Sequence, residues 1–213
     1  MKHLRLFIIT AVLIMSILWT GAGAEAFAKG ARAENAEQRI YTPYELCCMA
    51  QYYYKRTNNS TSCPAEAECL EQKDGTYAIT LRTKVIDQAA GQAGTAAQEE
   101  KFHYTIYAQY TLNANAQGTD TAGKSIDLTL YSKVYTPAEL CKLAQDYFFR
   151  VNDFYPPNAE AAANKDGTYT ISLFESIEDA DGTEHSATCG WYTVNVCGVG
   201  TDDLMMQDID INP

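Results

Sequence analysis

The sequence predicts an α+β protein made of two tandem repeats, each one helix packed on a four-stranded antiparallel β-meander. Three observations carry this reading. A helix-start signature occurs twice, as Tyr41-Thr42-Pro43-Tyr44-Glu45-Leu46-Cys47 and as Tyr135-Thr136-Pro137-Ala138-Glu139-Leu140-Cys141. Each is followed by a Lys-Asp-Gly-Thr-Tyr segment, at 73–77 and 165–169. The residues after each segment alternate apolar and polar with a period of two, which marks a sheet with one covered face. An internal repeat of this length decides architecture before any single residue does.

The chain opens on a targeting pattern. Lys2, His3 and Arg5 precede the apolar run Leu6–Trp19, and Ala26-Phe27-Ala28 offers a cleavage site, with Ala22-Gly23-Ala24 as its rival. Residues 1–28 are therefore expected to be a signal peptide and 29–40 a flexible leader. Repeat one covers 41–133 and repeat two 134–213. The first cysteine is Cys47, well past the apolar run, which argues against a lipoprotein. The expected address is secreted or extracytoplasmic, with no membrane attachment after cleavage. The formal charge is −11, and an acidic surface repels nucleic acid and anionic membranes.

Each helix carries its own start signals. Thr42 and Thr136 are N-caps, Glu45 and Glu139 complete capping boxes, and Pro43 and Pro137 take the first helical position. The spacing predicts helices over about 43–56 and 137–150. Leu46, Met49, Ala50 and Tyr53 form the buried stripe of the first, and Leu140, Leu143, Ala144 and Tyr147 that of the second. Strands are expected at about 65–71 and 157–163. The Asp-Gly turns then lead into strands with Tyr77, Ile79, Leu81 and Val85, or Tyr169, Ile171, Leu173 and Ile177, on the apolar face. A mobile loop is expected at Gln88–Gln98. Third strands run about 101–114 and 184–197, and fourth strands about 124–133 and 204–211. Gly118-Thr119-Asp120 and Gly200-Thr201-Asp202 read as the turns between them.

Alternation along the third strands nominates a surface. If Tyr192, Val194 and Val196 face the helix, then His185, Ala187, Cys189, Trp191 and Thr193 face away. In repeat one that set is His103, Thr105, Tyr107, Gln109 and Thr111. Exposed aromatic residues on an otherwise solvated sheet mark an interaction surface, so Trp191, His185, Tyr107 and His103 are the candidate partner-binding residues. The ordinary reading is that the face is covered by the other sheet or a loop. The two histidines lack metal-ligand spacing, and no nucleophile elbow, phosphate loop or paired-cysteine motif occurs. The sequence thus nominates no catalytic residue, metal or cofactor. Seven cysteines in an exported chain predict disulfides with one thiol left over, and a dimer through that odd thiol is one expectation. Cys47 with Cys69 is the candidate bridge. Repeat two has Cys141 but Ala161 at the second position. Cys48 aligns with Lys142, which suggests an exposed site and makes Cys48 the candidate odd thiol.

The run Asp166-Gly167-Thr168-Tyr169-Thr170-Ile171, with Asp181–Thr188, Trp191–Asn195 and Gly200-Thr201-Asp202, resembles a small domain near the C-terminus of uncharacterised secreted proteins and lipoproteins of Gram-positive bacteria. The resemblance covers 135–211 well and 41–133 weakly. In that group a charged residue usually stands where Asn195 is, and the cysteines here are unusual. The resemblance implies an extracytoplasmic location and no known activity. In shape, helix plus meander is similar to cystatin-like, PepSY-like and NTF2-like domains, and two tandem copies are similar to the β-lactamase inhibitor proteins. The first functional expectation is a secreted, non-catalytic protein that binds an extracellular protein or cell-envelope component through its open sheet faces. The alternatives are an inhibitor of an extracellular enzyme and an NTF2-like enzyme, the last disfavoured by an all-apolar helix-facing phase.

Overall fold

Both helices begin where the repeated signature puts them. In the computed structural model, which describes residues 39–61, 63–87 and 101–213, α1 spans Pro43–Thr57 and α2 spans Pro137–Asn152. Both capping boxes close. The Thr42 hydroxyl accepts from the Glu45 N–H at 3.3 Å, and the Glu45 carboxylate accepts from the Thr42 N–H at 2.8 Å. Thr136 and Glu139 repeat the pair at 3.3 and 2.8 Å. Leu46, Met49, Ala50 and Tyr53 are buried as their spacing predicts. In α2, Leu140 and Ala144 are buried, and Leu143 and Tyr147 pack partly against the same core. The targeting segment, almost all of the leader and the Gln88–Gln98 connection lie outside the described residues.

Among the described residues each repeat carries five strands rather than four. In repeat one these are β1 (Glu66–Glu71), β2 (Tyr77–Ile86), β3 (Phe102–Leu112), β4 (Gln117–Asp120) and β5 (Ser125–Asp127), followed by a 3₁₀ turn at Leu128–Leu130. In repeat two they are β6 (Asn158–Ala163), β7 (Tyr169–Glu178), β8 (Glu184–Val194), β9 (Val199–Asp202) and β10 (Gln207–Asp210). The sheet orders are β1-β2-β3-β4-β5 and β10-β9-β8-β7-β6, all antiparallel.

The expectation of four strands fails because Gly-Thr-Asp is a strand, not a turn. A Cβ on Gly118 would stand 1.8 Å from the Thr111 carbonyl oxygen, and one on Gly200 1.8 Å from that of Thr193. The glycine lets two backbones approach; it does not turn the chain. The turns on either side are built by side-chain acceptors. Asn113 Oδ1 accepts from the Asn115 and Gln117 N–H groups before β4, and Asp120 Oδ1 accepts from those of Ala122 and Lys124 after it. Asn195 and Asp202 do the same work in repeat two. The Asp-Gly turns form where expected, but only the glycines are left-handed, Gly75 at φ +80° and Gly167 at φ +88°.

Each helix lies on the first two strands of its own sheet. The core of repeat one, around Leu46, Met49, Ile79, Leu81 and Leu112, also takes in Val134, Val196 and Cys197. Tyr41–Pro213 accordingly forms one compact unit. Two further contacts join the repeats. Lys55 Nζ on α1 lies 2.8 Å from Asp210 Oδ2 on β10. The Tyr44 ring packs on the Gly167 turn so closely that a Cβ there would stand 2.8 Å from Tyr44 Cζ. Among the described residues no helix is long and apolar enough to cross a membrane.

Candidate interaction surface

A β-bulge in each sheet decides which side chains are exposed together. Leu81 pairs with Ala108, but Arg82 pairs with Ile106, which leaves Tyr107 as the extra residue on β3. Leu173 pairs with Gly190, but Phe174 pairs with Thr188, so Cys189 is the extra residue on β8. One inserted residue reverses the phase of everything beyond it. The expected alternation therefore holds only for the half of each strand after the bulge.

This separates the four nominated residues. Trp191 lies after the bulge, paired with Ser172, and does sit on the face away from the helix. It is exposed, and the register puts Thr170, Ser172, Phe174 and Thr193 on the same face. Tyr107, on the bulge itself, turns to the helix side, its ring 6.0 Å from that of Tyr54 on α1. His103 and His185 precede the bulges. They pair with Val85 and Ile177, in the same phase as the buried Leu81 and Leu173, at the far ends of the ribbons. Each meets the aspartate just after the preceding strand: His103 Nδ1 lies 2.8 Å from Asp87 Oδ1, and His185 Nδ1 lies 3.3 Å from Asp179 Oδ2. The expectation that all four share one open face is thereby corrected.

The same reversal exposes residues that strict alternation assigns to the helix side. Phe102, Tyr104 and Ile106 lie on the open face of sheet one beside Arg82, Lys84 and Ile86. Ile106 is 57 % and Ile86 54 % exposed, and Phe102 and Tyr104 are exposed as well. The rings are held in place. The Arg82 guanidinium lies 4.0 Å from the Tyr104 centroid, and Lys84 Nζ lies 4.1 Å from that of Phe102. The two rings meet edge to face at 5.7 Å. Arg82 is braced in turn by Glu68 at 2.7 Å and Glu66 at 3.3 Å, both on β1. The result is an exposed platform of apolar side chains and cations in mutual contact on an acidic protein. Valine at position 85, expected on the covered face, lies on the ribbon beyond the helix and is exposed.

Other concavities hold less chemistry. A groove between α1 and β9–β10 is lined by Gln51, Lys55, Asn195 and Asp210, but its lysine and aspartate are spent on each other. Among the described residues no group of His, Cys, Asp and Glu is arranged to hold a metal ion.

Cys47 and Cys48 are neighbours on α1, and Cys63 and Cys69 lie on the loop and strand that follow it. The Cys47 thiol donates to the Ala67 carbonyl at 3.7 Å and lines one groove with Cys69, so the structure brings the nominated pair to the same place. Cys48 is not the exposed thiol its alignment with Lys142 predicts. It is 3 % exposed, because repeat two covers this flank of α1 with Val196 and Cys197, whereas among the described residues no segment of repeat one joins the core around α2. Burial pushes the Cys47 thiol up to about 12 and those of Cys48 and Cys63 to about 11, so all three stay protonated and sluggish at neutral pH. Compared with family models, with curated proteins and with solved structures, the chain finds no match.

Proposed function

We propose that this is an exported, non-catalytic binding protein whose main contact surface is the platform of Phe102, Tyr104, Ile106 and Ile86. The observation that carries the reading is that these apolar side chains are both exposed and pre-ordered by Arg82 and Lys84. Rigid aromatic side chains flanked by arginine make strong anchors, since little conformational freedom remains to be lost on binding. Trp191 supplies a second, smaller anchor on sheet two. The partner is an extracellular protein or a cell-envelope component. The signal-like N-terminus and the resemblance to domains of secreted Gram-positive proteins support the export half of the reading, and export would put the cysteines in an oxidising environment.

The test is capture of partners from extracellular and envelope fractions on the purified protein, with a Phe102→Ser/Ile106→Ser bait and a Trp191→Ala bait in parallel. A specific partner lost from the double variant supports the platform. Truncating one central anchor should cost about 2 kcal/mol, roughly a thirtyfold rise in Kd. A partner that is a hydrolase, and whose activity falls on binding, favours the inhibitor alternative on the same surface. A partner indifferent to both baits overturns the assignment.

A further inference from the structure

The two repeats correspond along the helix and again from the proline that ends the following loop, which is two residues longer in repeat one. Gln51 Nε2 donates to the Pro64 carbonyl at 2.7 Å, and Gln145 Nε2 donates to the Pro156 carbonyl at 2.8 Å. That shared bond fixes Cys63 opposite Tyr155. The strand register fixes Cys69, paired with Ile79, opposite Ala161, paired with Ile171. On the helices Cys47 stands opposite Cys141 and Cys48 opposite Lys142. Cys48 and Cys63 are therefore both present in repeat one and both replaced in repeat two, by Lys142 and Tyr155. A pair that appears and disappears together is what a crosslink leaves behind.

The local geometry agrees. Cys47 reaches the backbone of β1 at Ala67, two residues from Cys69 on the same face, and the two cysteines line one groove. Cys48 lies one turn before Gln51, whose amide is bonded to the residue next to Cys63. We infer that the oxidised protein carries two disulfides, Cys47–Cys69 and Cys48–Cys63, which fasten adjacent residues of α1 to β1 and to the loop that leads into it. In each, two thiols lose two protons and two electrons and one S–S bond forms. The electrons pass to an exogenous small-molecule or protein disulfide, which leaves as two thiols. The crosslinks hold the helix of the repeat that bears the platform, and they stand or fall independently of any partner.

The full-length protein, oxidised with glutathione disulfide at mildly alkaline pH, alkylated and digested, should yield Cys63 and Cys69 fragments each linked to the helix peptide. Cleavage after Glu66 or Glu68 separates the two. In Cys48→Ser, Cys63 alone becomes alkylatable; in Cys47→Ser, Cys69 alone does. Should either variant fail to fold, fragmentation of the wild-type linked peptide between Cys47 and Cys48 assigns the same pairing. Reduction should also lower the melting temperature of the wild type. Cys63 and Cys69 remaining open to alkylation after oxidation, or Cys48 linked to Cys197 instead, overturns the inference.

Discussion

Ala116 is wholly buried in the left-handed conformation at φ +64°, among the described residues of repeat one the one place where a Cβ meets that conformation inside the core. Its counterpart, Gly198, is at φ +76°. A left-handed alanine costs roughly 1–2 kcal/mol, but exchange to glycine forfeits a buried methyl worth about 0.8 kcal/mol and loosens the unfolded chain by about as much. Ala116→Gly should therefore be near neutral, within about 0.5 kcal/mol. Gly198→Ala meets both strain and crowding, since its Cβ would lie 3.1 Å from Ile211 Cγ1. It should destabilise by about 1–2 kcal/mol, read by chemical denaturation. Glu139 supplies a titration at the same scale. The Lys133 ammonium, followed by the Thr136 backbone and hydroxyl, holds its carboxyl at about 2 against an ordinary 4.5. The unfolded chain thus takes up the proton first on acidification. The stabilisation is complete above about pH 4.5 and is lost as pH falls to about 2. The stability gap between wild type and Glu139→Gln should close across that window.

At the scale of elements, the bulges matter more than the strands they interrupt. A single extra residue, Tyr107, puts Phe102, Tyr104 and Ile106 on the open face and His103 on the other. Deleting Tyr107 should straighten the ladder and exchange the two sets. The ring-current shift of the Lys84 methylenes over Phe102 should vanish, and capture of any platform-dependent partner should vanish with it. Retention of that shift would mean the bulge can move along the strand. The capping boxes are a simpler case. Thr42→Ala leaves a donor unsatisfied at the start of α1 and should cost about 1 kcal/mol, read as a lowered denaturation midpoint.

For the whole molecule, the question is whether each repeat stands alone. The core of repeat one is completed by Val134, Val196 and Cys197, and the flank of α1 is covered by the Gly167 turn and the Lys55–Asp210 pair. Residues 41–133 in isolation would expose Cys48 and part of that core to water. They should give a poorly dispersed amide spectrum, whereas the full chain should unfold in one cooperative transition. Independent folding of 41–133 would show that the shared side chains add little.

The chain by itself determined its helices, its Asp-Gly turns and its α+β class, because these follow from neighbours in sequence. Caps, the spacing of Leu46, Met49 and Ala50, and the glycine of each Asp-Gly pair act within a few residues and leave a local pattern. It also announced the repeat, and with it the common order of elements. What escaped it has a common cause. The close approach behind Gly118, the bulges at Tyr107 and Cys189, and the burial of Cys48 are relations between segments distant in sequence. Alternation is a sound guide to a strand's faces only while its register is unbroken, and nothing around Tyr107 marks the break. Position in an alignment is a sound guide to exposure only when both repeats have the same surroundings, and here α1 is covered by its neighbour while α2 is not. The tertiary structure alone therefore decided which side chains meet solvent together, because that is set by packing against other parts of the chain.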